Sequence, residues 1–193
     1  MISLLDYAKD FLRSCVPPDG IVADFTMGNG YDTEFLCRLV PEGTVYAFDV
    51  QPAALESTRS RLEAFGLTNA QLLLVSHADA ARYIKGPLNG GMFNLGWLPG
   101  SDRTVFTRRE STIKAVKAAS DMLCPGGVLT VSVYPGHDEG RAEGEALLET
   151  VSGFDRFEYC VSCLRLVNSP QAPFVLVIER NINKKLKDTG RGK

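Results

Sequence analysis

Four short stretches of this chain carry residue types that can do chemistry. The first is Asp24-Phe25-Thr26-Met27-Gly28-Asn29-Gly30-Tyr31-Asp32-Thr33, a DxxxGxG pattern that follows an apolar run. Gly28 and Gly30 let the backbone turn sharply and approach a ligand closely. The helix opened by this loop presents N–H groups to the same crevice. The third glycine of a dinucleotide fingerprint would fall at Thr33, so a pyrophosphate motif is incomplete. A carboxylate at Asp24 repels a phosphate and attracts an ammonium, directly or through water. Asp49 ends the next apolar run about twenty residues on, where an acid accepts hydrogen bonds from ribose hydroxyls. Gln51 follows within reach of the sugar or the adenine. Each residue alone also reads as a strand cap or a plain turn. As an ordered set they fit an adenosyl group bearing a methionine ammonium better than a dinucleotide.

The second stretch is Phe93-Asn94-Leu95-Gly96-Trp97-Leu98-Pro99-Gly100. An Asn followed by open backbone carbonyls can accept hydrogen bonds from an amine. Its place matches the (D/N)PP(Y/F) motif of amino-methylating enzymes, with Leu95-Gly96 standing for both prolines. Trp97 reads equally as a face for stacking a base and as a hydrophobic lid. The third and fourth stretches hold the two histidines, His77 in Ser76-His77-Ala78 and His137 in Tyr134-Pro135-Gly136-His137-Asp138-Glu139-Gly140. Either can be a satisfied polar group. His137, in a Pro-Gly loop opposite Asn94, is the better candidate for proton handling or substrate orientation.

The elements that must position these residues alternate along the chain. Strands are expected at 21–26, 44–50, 71–76, 92–95 and 127–134, with helices at 32–39, 52–65, 107–123 and 139–151. Met1–Cys15 reads as a short amphipathic helix and not as a secretory signal. Pro52 suits a helix first turn, Gly66 a helix end, and Cys124-Pro125-Gly126-Gly127 a stop and turn. Alternation predicts a doubly wound, Rossmann-like α/β sheet, mostly parallel. Runs 157–167 and 174–179 are joined with no room for a helix, so they must pair antiparallel. This is the layout of class I S-adenosylmethionine-dependent methyltransferases. One such domain is expected over 1–183, followed by a basic, solvated tail at 184–193.

Composition narrows the classes further. No apolar run approaches the roughly 20 residues that span a bilayer, so no membrane is implied. Five scattered cysteines argue for a reducing cytoplasm, and Cys160-Val-Ser-Cys163 lacks a second pair for zinc. Net charge is −2, which counts against a non-specific grip on long nucleic acid but not against a local basic face. Arg103, Arg108, Arg109, Lys114 and Lys117 cluster in one segment, whose bland reading is a solvated helix face. An NAD-dependent oxidoreductase is disfavoured by Thr33 and Asp24.

Taken in order, DFTMGNGYDTEFL, VYAFDVQPAAL, SHA, FNLGWLPGSDR, VSVYPGHDEGRAEGEAL and the late Asn168 with Pro173 resemble a bacterial family labelled rRNA methylases. Its members act as tRNA 5-aminomethyl-2-thiouridine methyltransferases at the wobble position. The likeness covers about residues 3–180, with FNLGxLPG and YPGHxxGxxE more specific than the GxG. It implies that Asp24, Gly28, Asn29, Gly30, Asp32, Asp49, Gln51 and His77 surround S-adenosylmethionine. It implies Asn94, Gly96 and His137 in the methyl-transfer pocket, while Trp97, Arg103, Arg108, Arg109 and Asn168 are the candidates for contact with RNA. The implied partner is a tRNA anticodon stem-loop, and a homodimer is compatible with the sequence. Tyr31 stands where the family commonly has His, and Ser101 where it commonly has Gly. A methyltransferase for rRNA or a small molecule is the alternative on the same fold.

Overall fold

Near-continuous apolar runs alternate with helical patterns along the chain, and the elements follow them. The computed structural model describes residues 4–96 and 109–182. In order come α1 (Leu4–Cys15), β1 (Ile21–Asp24), α2 (Tyr31–Leu39), β2 (Thr44–Asp49), α3 (Pro52–Ala64) and β3 (Ala70–Leu74). A 3₁₀ turn (His77–Arg82), β4 (Leu88–Asn94), α4 (Arg109–Met122) and β5 (Leu123–Val133) follow. The described chain closes with α5 (Asp138–Ser152), β6 (Tyr159–Leu164) and β7 (Phe174–Arg180).

These strands form one seven-stranded sheet in the order β3-β2-β1-β4-β5-β7-β6. The first five run parallel, whereas β7 lies antiparallel to both β5 and β6. The expected α/β class and its antiparallel end are therefore present. Strands covered on both faces need apolar side chains on both faces. On one side Val22, Val45, Met92, Val128 and Val177 pack with Ala8, Leu12 and Leu36 beneath α1 and α2. On the other, Phe25, Phe48, Phe93, Leu129 and Val131 pack with Ala115, Val116 and Leu147 beneath α4 and α5.

The largest differences from expectation each have a local reason. β4 begins at Leu88 rather than at Met92, with Gly90 and Gly91 inside the strand. A Cβ on Gly90 would lie 2.6 Å from Leu12 Cδ2, and one on Gly91 2.9 Å from Phe25 Cε2. Their absence of side chains lets α1 and the Phe25–Phe93 stack (centroids 4.2 Å apart) close onto the sheet. The Cys124–Gly127 segment, expected to stop and turn, belongs to β5 as an irregularity in its ladder with β4, with Gly126 at φ 84°. β6 starts late because the Asp155 carboxylate accepts the Phe157 N–H at 2.9 Å and folds that stretch into a turn. The 3₁₀ turn after β3 was not expected. Its signal is Ser76, whose hydroxyl accepts the Ala78 N–H at 3.2 Å.

Candidate active site

The carboxyl ends of β1, β2, β4 and β5 meet at one edge of the sheet, where open α/β sheets bind ligands. β1 ends in Asp24, which is 1% exposed. One of its oxygens accepts the Thr33 hydroxyl at 2.6 Å and the other the Thr26 N–H at 3.1 Å. Burial first, and then the nearby Asp32 carboxylate, push its pKa up to about 7. The glycine turn follows, with Gly28 at φ 50° and Gly30 at φ 80°, conformations that favour glycine. Gly30 also lets α2 close on α3, since a Cβ there would lie 2.9 Å from the Thr58 backbone and hydroxyl.

Asp49, at the end of β2, faces this turn. Its Oδ2 accepts the Gly28 N–H at 3.1 Å and its Oδ1 the Gln51 N–H at 3.0 Å. A carboxylate has about four acceptor positions, so each oxygen retains one for a ligand hydroxyl. His77 lies on the far side of the crevice. It is held edge-on to Phe93 at 5.8 Å and hydrogen bonds to the Phe25 carbonyl. Burial lowers its pKa, against the opposing pull of that carbonyl and of Asp49. Its Nε2 is buried and finds no partner among the described residues. An orphaned polar nitrogen costs about 1–3 kcal/mol unless a ligand meets it. Such a nitrogen, with the half-used Asp49 carboxylate and an acidic crevice, fits an adenosyl group that carries an ammonium.

Sequence spacing gave no hint of the residues that brace this loop. Arg61 of α3 donates to the Asn29 carbonyl at 2.9 Å and to Glu34 at 3.0 Å, and its guanidinium stacks on Tyr31 at 3.6 Å. Ser57 donates to the Asn29 side chain at 3.3 Å. The result is a glycine loop fixed by α3 rather than left free.

On the opposite flank, Asn94 closes β4. Its backbone N–H is tied to the Thr26 hydroxyl at 2.8 Å, and its side-chain N–H donates to Asp32 at 3.3 Å. Asp32 is paired with Lys9 of α1 at 2.8 Å. Tyr134, just past β5, contacts the Asn94 side chain as well. Burial and the Asp32 carboxylate raise the phenol's pKa, and the hydrogen bond from Asn94 works against them. Leu95 N–H continues the ladder to the Ser132 carbonyl at 3.0 Å, which places Gly96 (φ 136°) at the sheet edge. A cleft of about 380 Å³ opens there, lined by Leu95, Gly96, Arg109, Tyr134, His137 and Glu143 among others.

His137 is the N-cap of α5, with Nδ1 accepting the Gly140 N–H at 3.0 Å. A Cβ on Gly140 would lie 2.9 Å from that imidazole, which explains a glycine three residues after the histidine. With Nδ1 accepting, a neutral His137 carries its proton on Nε2. That tautomer suits orienting a substrate better than taking its proton.

The other expected site residues divide in two. Arg109 is exposed at the start of α4, with Lys114 and Lys117 exposed further along the same helix. Asn168 is exposed in the 165–173 connection, which the reversal of β7 brings to the sheet edge that carries Asn94. Trp97, Arg103 and Arg108 lie outside the described residues, as does the basic tail. Cys160 and Cys163 are both exposed on the edge strand β6, and no cluster among the described residues could hold a metal ion. Nor is any described helix long and apolar enough to cross a membrane.

The strand order, the reversed β7 and an acid-flanked glycine turn together define a class I, S-adenosylmethionine-dependent methyltransferase. The model of the family described as "Putative rRNA methylase" matches residues 45–180, and the chain belongs to that family. A "putative rRNA-methylase" from Clostridium thermocellum superposes with a TM-score of 0.90 at 35% identity, covering 93% of this chain and 98% of that one. A "putative methyltransferase" from Streptococcus mutans, solved in complex with SAH, gives a TM-score of 0.86 at 36% identity over 93% and 99%. The chloroplastic tRNA (mnm(5)s(2)U34)-methyltransferase of Arabidopsis thaliana is 33% identical over 174 residues, 84% of this chain. This chain spans 64% of that plant protein's length.

Proposed function

We propose that this chain converts 5-aminomethyl-2-thiouridine to 5-methylaminomethyl-2-thiouridine at the tRNA wobble position, acting in the cytoplasm. The observation that carries the reading is Asn94. It is locked by Thr26, Asp32 and Tyr134 at the point where the acidic crevice meets the cleft beside Gly96. The similarity to the plant wobble methyltransferase supports the substrate, and the neighbour solved with SAH supports the cofactor.

When bound, S-adenosylmethionine supplies an electrophilic methyl group on a sulfonium sulfur. Asp49 would hold its ribose hydroxyls, Asp32 would attract its ammonium, with Asp24 joining once that cation displaces its proton, and His77 Nε2 would accept from a cofactor donor. A free alkylamine is mostly protonated near neutrality, as a lysine with pKa about 10.4 is. The apolar rim of Leu95 and the partly buried Tyr134 favour its neutral form by withholding water. Asn94 and the backbone carbonyls beside it accept the amine N–H bonds and aim the lone pair, while the displaced proton leaves to water. Positioning of this kind supplies large effective molarities, about 10⁵ M or more, without a strong base.

A wobble base lies in an unpaired loop and is read by stacking and edge contacts, so an acidic chain can take an RNA substrate. Arg109, Lys114 and Lys117 on the exposed face of α4 would meet backbone phosphates, with Asn168 facing the loop. The test is incubation of hypomethylated tRNA with the protein and S-adenosylmethionine, followed by mass spectrometry of the nucleosides. Gain of one methyl on aminomethyl-thiouridine is the expected result. Methylation of rRNA alone, or of no RNA, would defeat the proposal.

A further inference from the structure

Asp32 draws together groups from three elements. The Lys9 ammonium of α1 reaches its Oδ1 at 2.8 Å, with the two side chains only 23% and 14% exposed. The Asn94 side-chain N–H at the end of β4 reaches its Oδ2 at 3.3 Å. Asp24 of β1 is near enough for Asp32 to perturb it. Lys9 does not arrive by chance, because its ammonium is also held 5.2 Å over the Phe35 ring, beside Arg13 at 5.0 Å.

These contacts decide which way the Asn94 amide faces. A carboxylate accepts hydrogen bonds and cannot donate them, so the amide must offer Asp32 its NH₂ side. Tyr134 lies beside the same amide, whose hydrogen bond works against the rise of the phenol's pKa. The NH₂ side is thus committed to Asp32, and Oδ1 lies on the side of the amide turned away from that carboxylate. An acceptor at that point selects a nucleophile that carries N–H bonds.

We infer that Lys9 is a positioning residue, which by pairing with Asp32 fixes the Asn94 amide with Oδ1 toward the incoming amine. The kinetic part of this inference rests on the proposed amine methylation. Without Lys9, the Asp24, Asp32 and Asp49 carboxylates share one crevice without that cation. The Asp32 carboxylate, no longer held at Oδ1 by the ammonium, would be free to rotate off the Asn94 N–H and release the amide.

The test uses the full chain with Lys9→Met, which keeps the stem over Phe35, and Lys9→Arg, which keeps the charge. Misplacing a group beside reacting atoms costs about 10- to 100-fold, so Lys9→Met should lower kcat by at least about tenfold. KM for S-adenosylmethionine and affinity for S-adenosylhomocysteine should stay within about threefold, and Lys9→Arg should restore most of kcat. In ligand-free protein, the Asn94 side-chain amide resonance, identified by its loss in Asn94→Ala, should shift and exchange faster in Lys9→Met only. An unmoved amide signal, or equal losses of kcat and of S-adenosylhomocysteine affinity, would overturn the role of Lys9. If wild-type protein methylates no aminomethyl-thiouridine while the amide signal responds as described, the substrate proposal falls and the Lys9 assignment stands.

Discussion

Replacing Asp24 with Asn removes one titratable group from the centre of the crevice and leaves its shape. The carboxyl is 1% exposed, and burial followed by the Asp32 carboxylate raises its pKa from 3.8 to about 7. The folded chain therefore holds this proton more tightly than the unfolded chain. Its contribution to stability is complete below the unfolded value and is lost as pH rises through the folded one. Between pH 6 and pH 8 the loss amounts to about 1.4 kcal/mol. That is roughly 3–6 °C in Tm for a chain of this size. An Asn at 24 keeps the local bonds. Its carbonyl accepts the Thr26 N–H, and its NH₂ donates to the Thr33 hydroxyl, which accepts as readily as it donates. Thermal unfolding of ligand-free wild type and Asp24→Asn across pH 6–8, at constant ionic strength, isolates the group because every other titratable residue is shared. Wild type should lose Tm relative to the variant over that range. Parallel curves would refute the claim that the fold keeps a proton on Asp24.

Asn94→Ala should reduce kcat by about 100-fold and leave S-adenosylhomocysteine affinity within about threefold by calorimetry, the signature of an interaction made chiefly in the transition state. Gly30→Ala places a methyl 2.9 Å from Thr58 at a residue with φ 80°. Overpacking and the left-handed backbone should together cost about 2–4 kcal/mol, seen as a lower Tm in scanning calorimetry. If Arg109, Lys114 and Lys117 each meet a phosphate, log Kd for tRNA should change with log salt at a slope of about 2–3. Removing one of them should lower that slope by about 1, as read by filter binding or fluorescence anisotropy.

Legibility in the sequence depended on whether a signal was local. The Asp24-to-Gly30 turn, the Asp49 strand end, the Pro52 helix start and the reversal before Phe174 each carry their cause within a few residues, and each was readable. β4 was cut short because Gly90 and Gly91 look like loop residues until Leu12 and Phe25 are seen filling their place. The Cys124–Gly127 segment has turn residues because the strand is irregular there, and residue type alone cannot separate a bulge from a stop. At the site, the acids and Asn94 could be found from their positions after strands. Lys9 and Arg61 could not, since nothing in a linear pattern ties residue 9 to residue 32 or residue 61 to the glycine turn.

The place of β7 has a consequence for synthesis. It is the last strand among the described residues, yet it sits between β5 and β6 rather than at the border. A nascent or truncated chain ending before Phe174 would therefore leave the flank of β5 as a row of unpaired backbone groups, a template for mispairing with other chains. The same fragment would lack the return that brings Asn168 to the sheet edge that carries Asn94. Closure of the sheet and the placing of the 165–173 connection thus arrive together, with one late segment, so a ribosome carrying an unfinished copy carries neither.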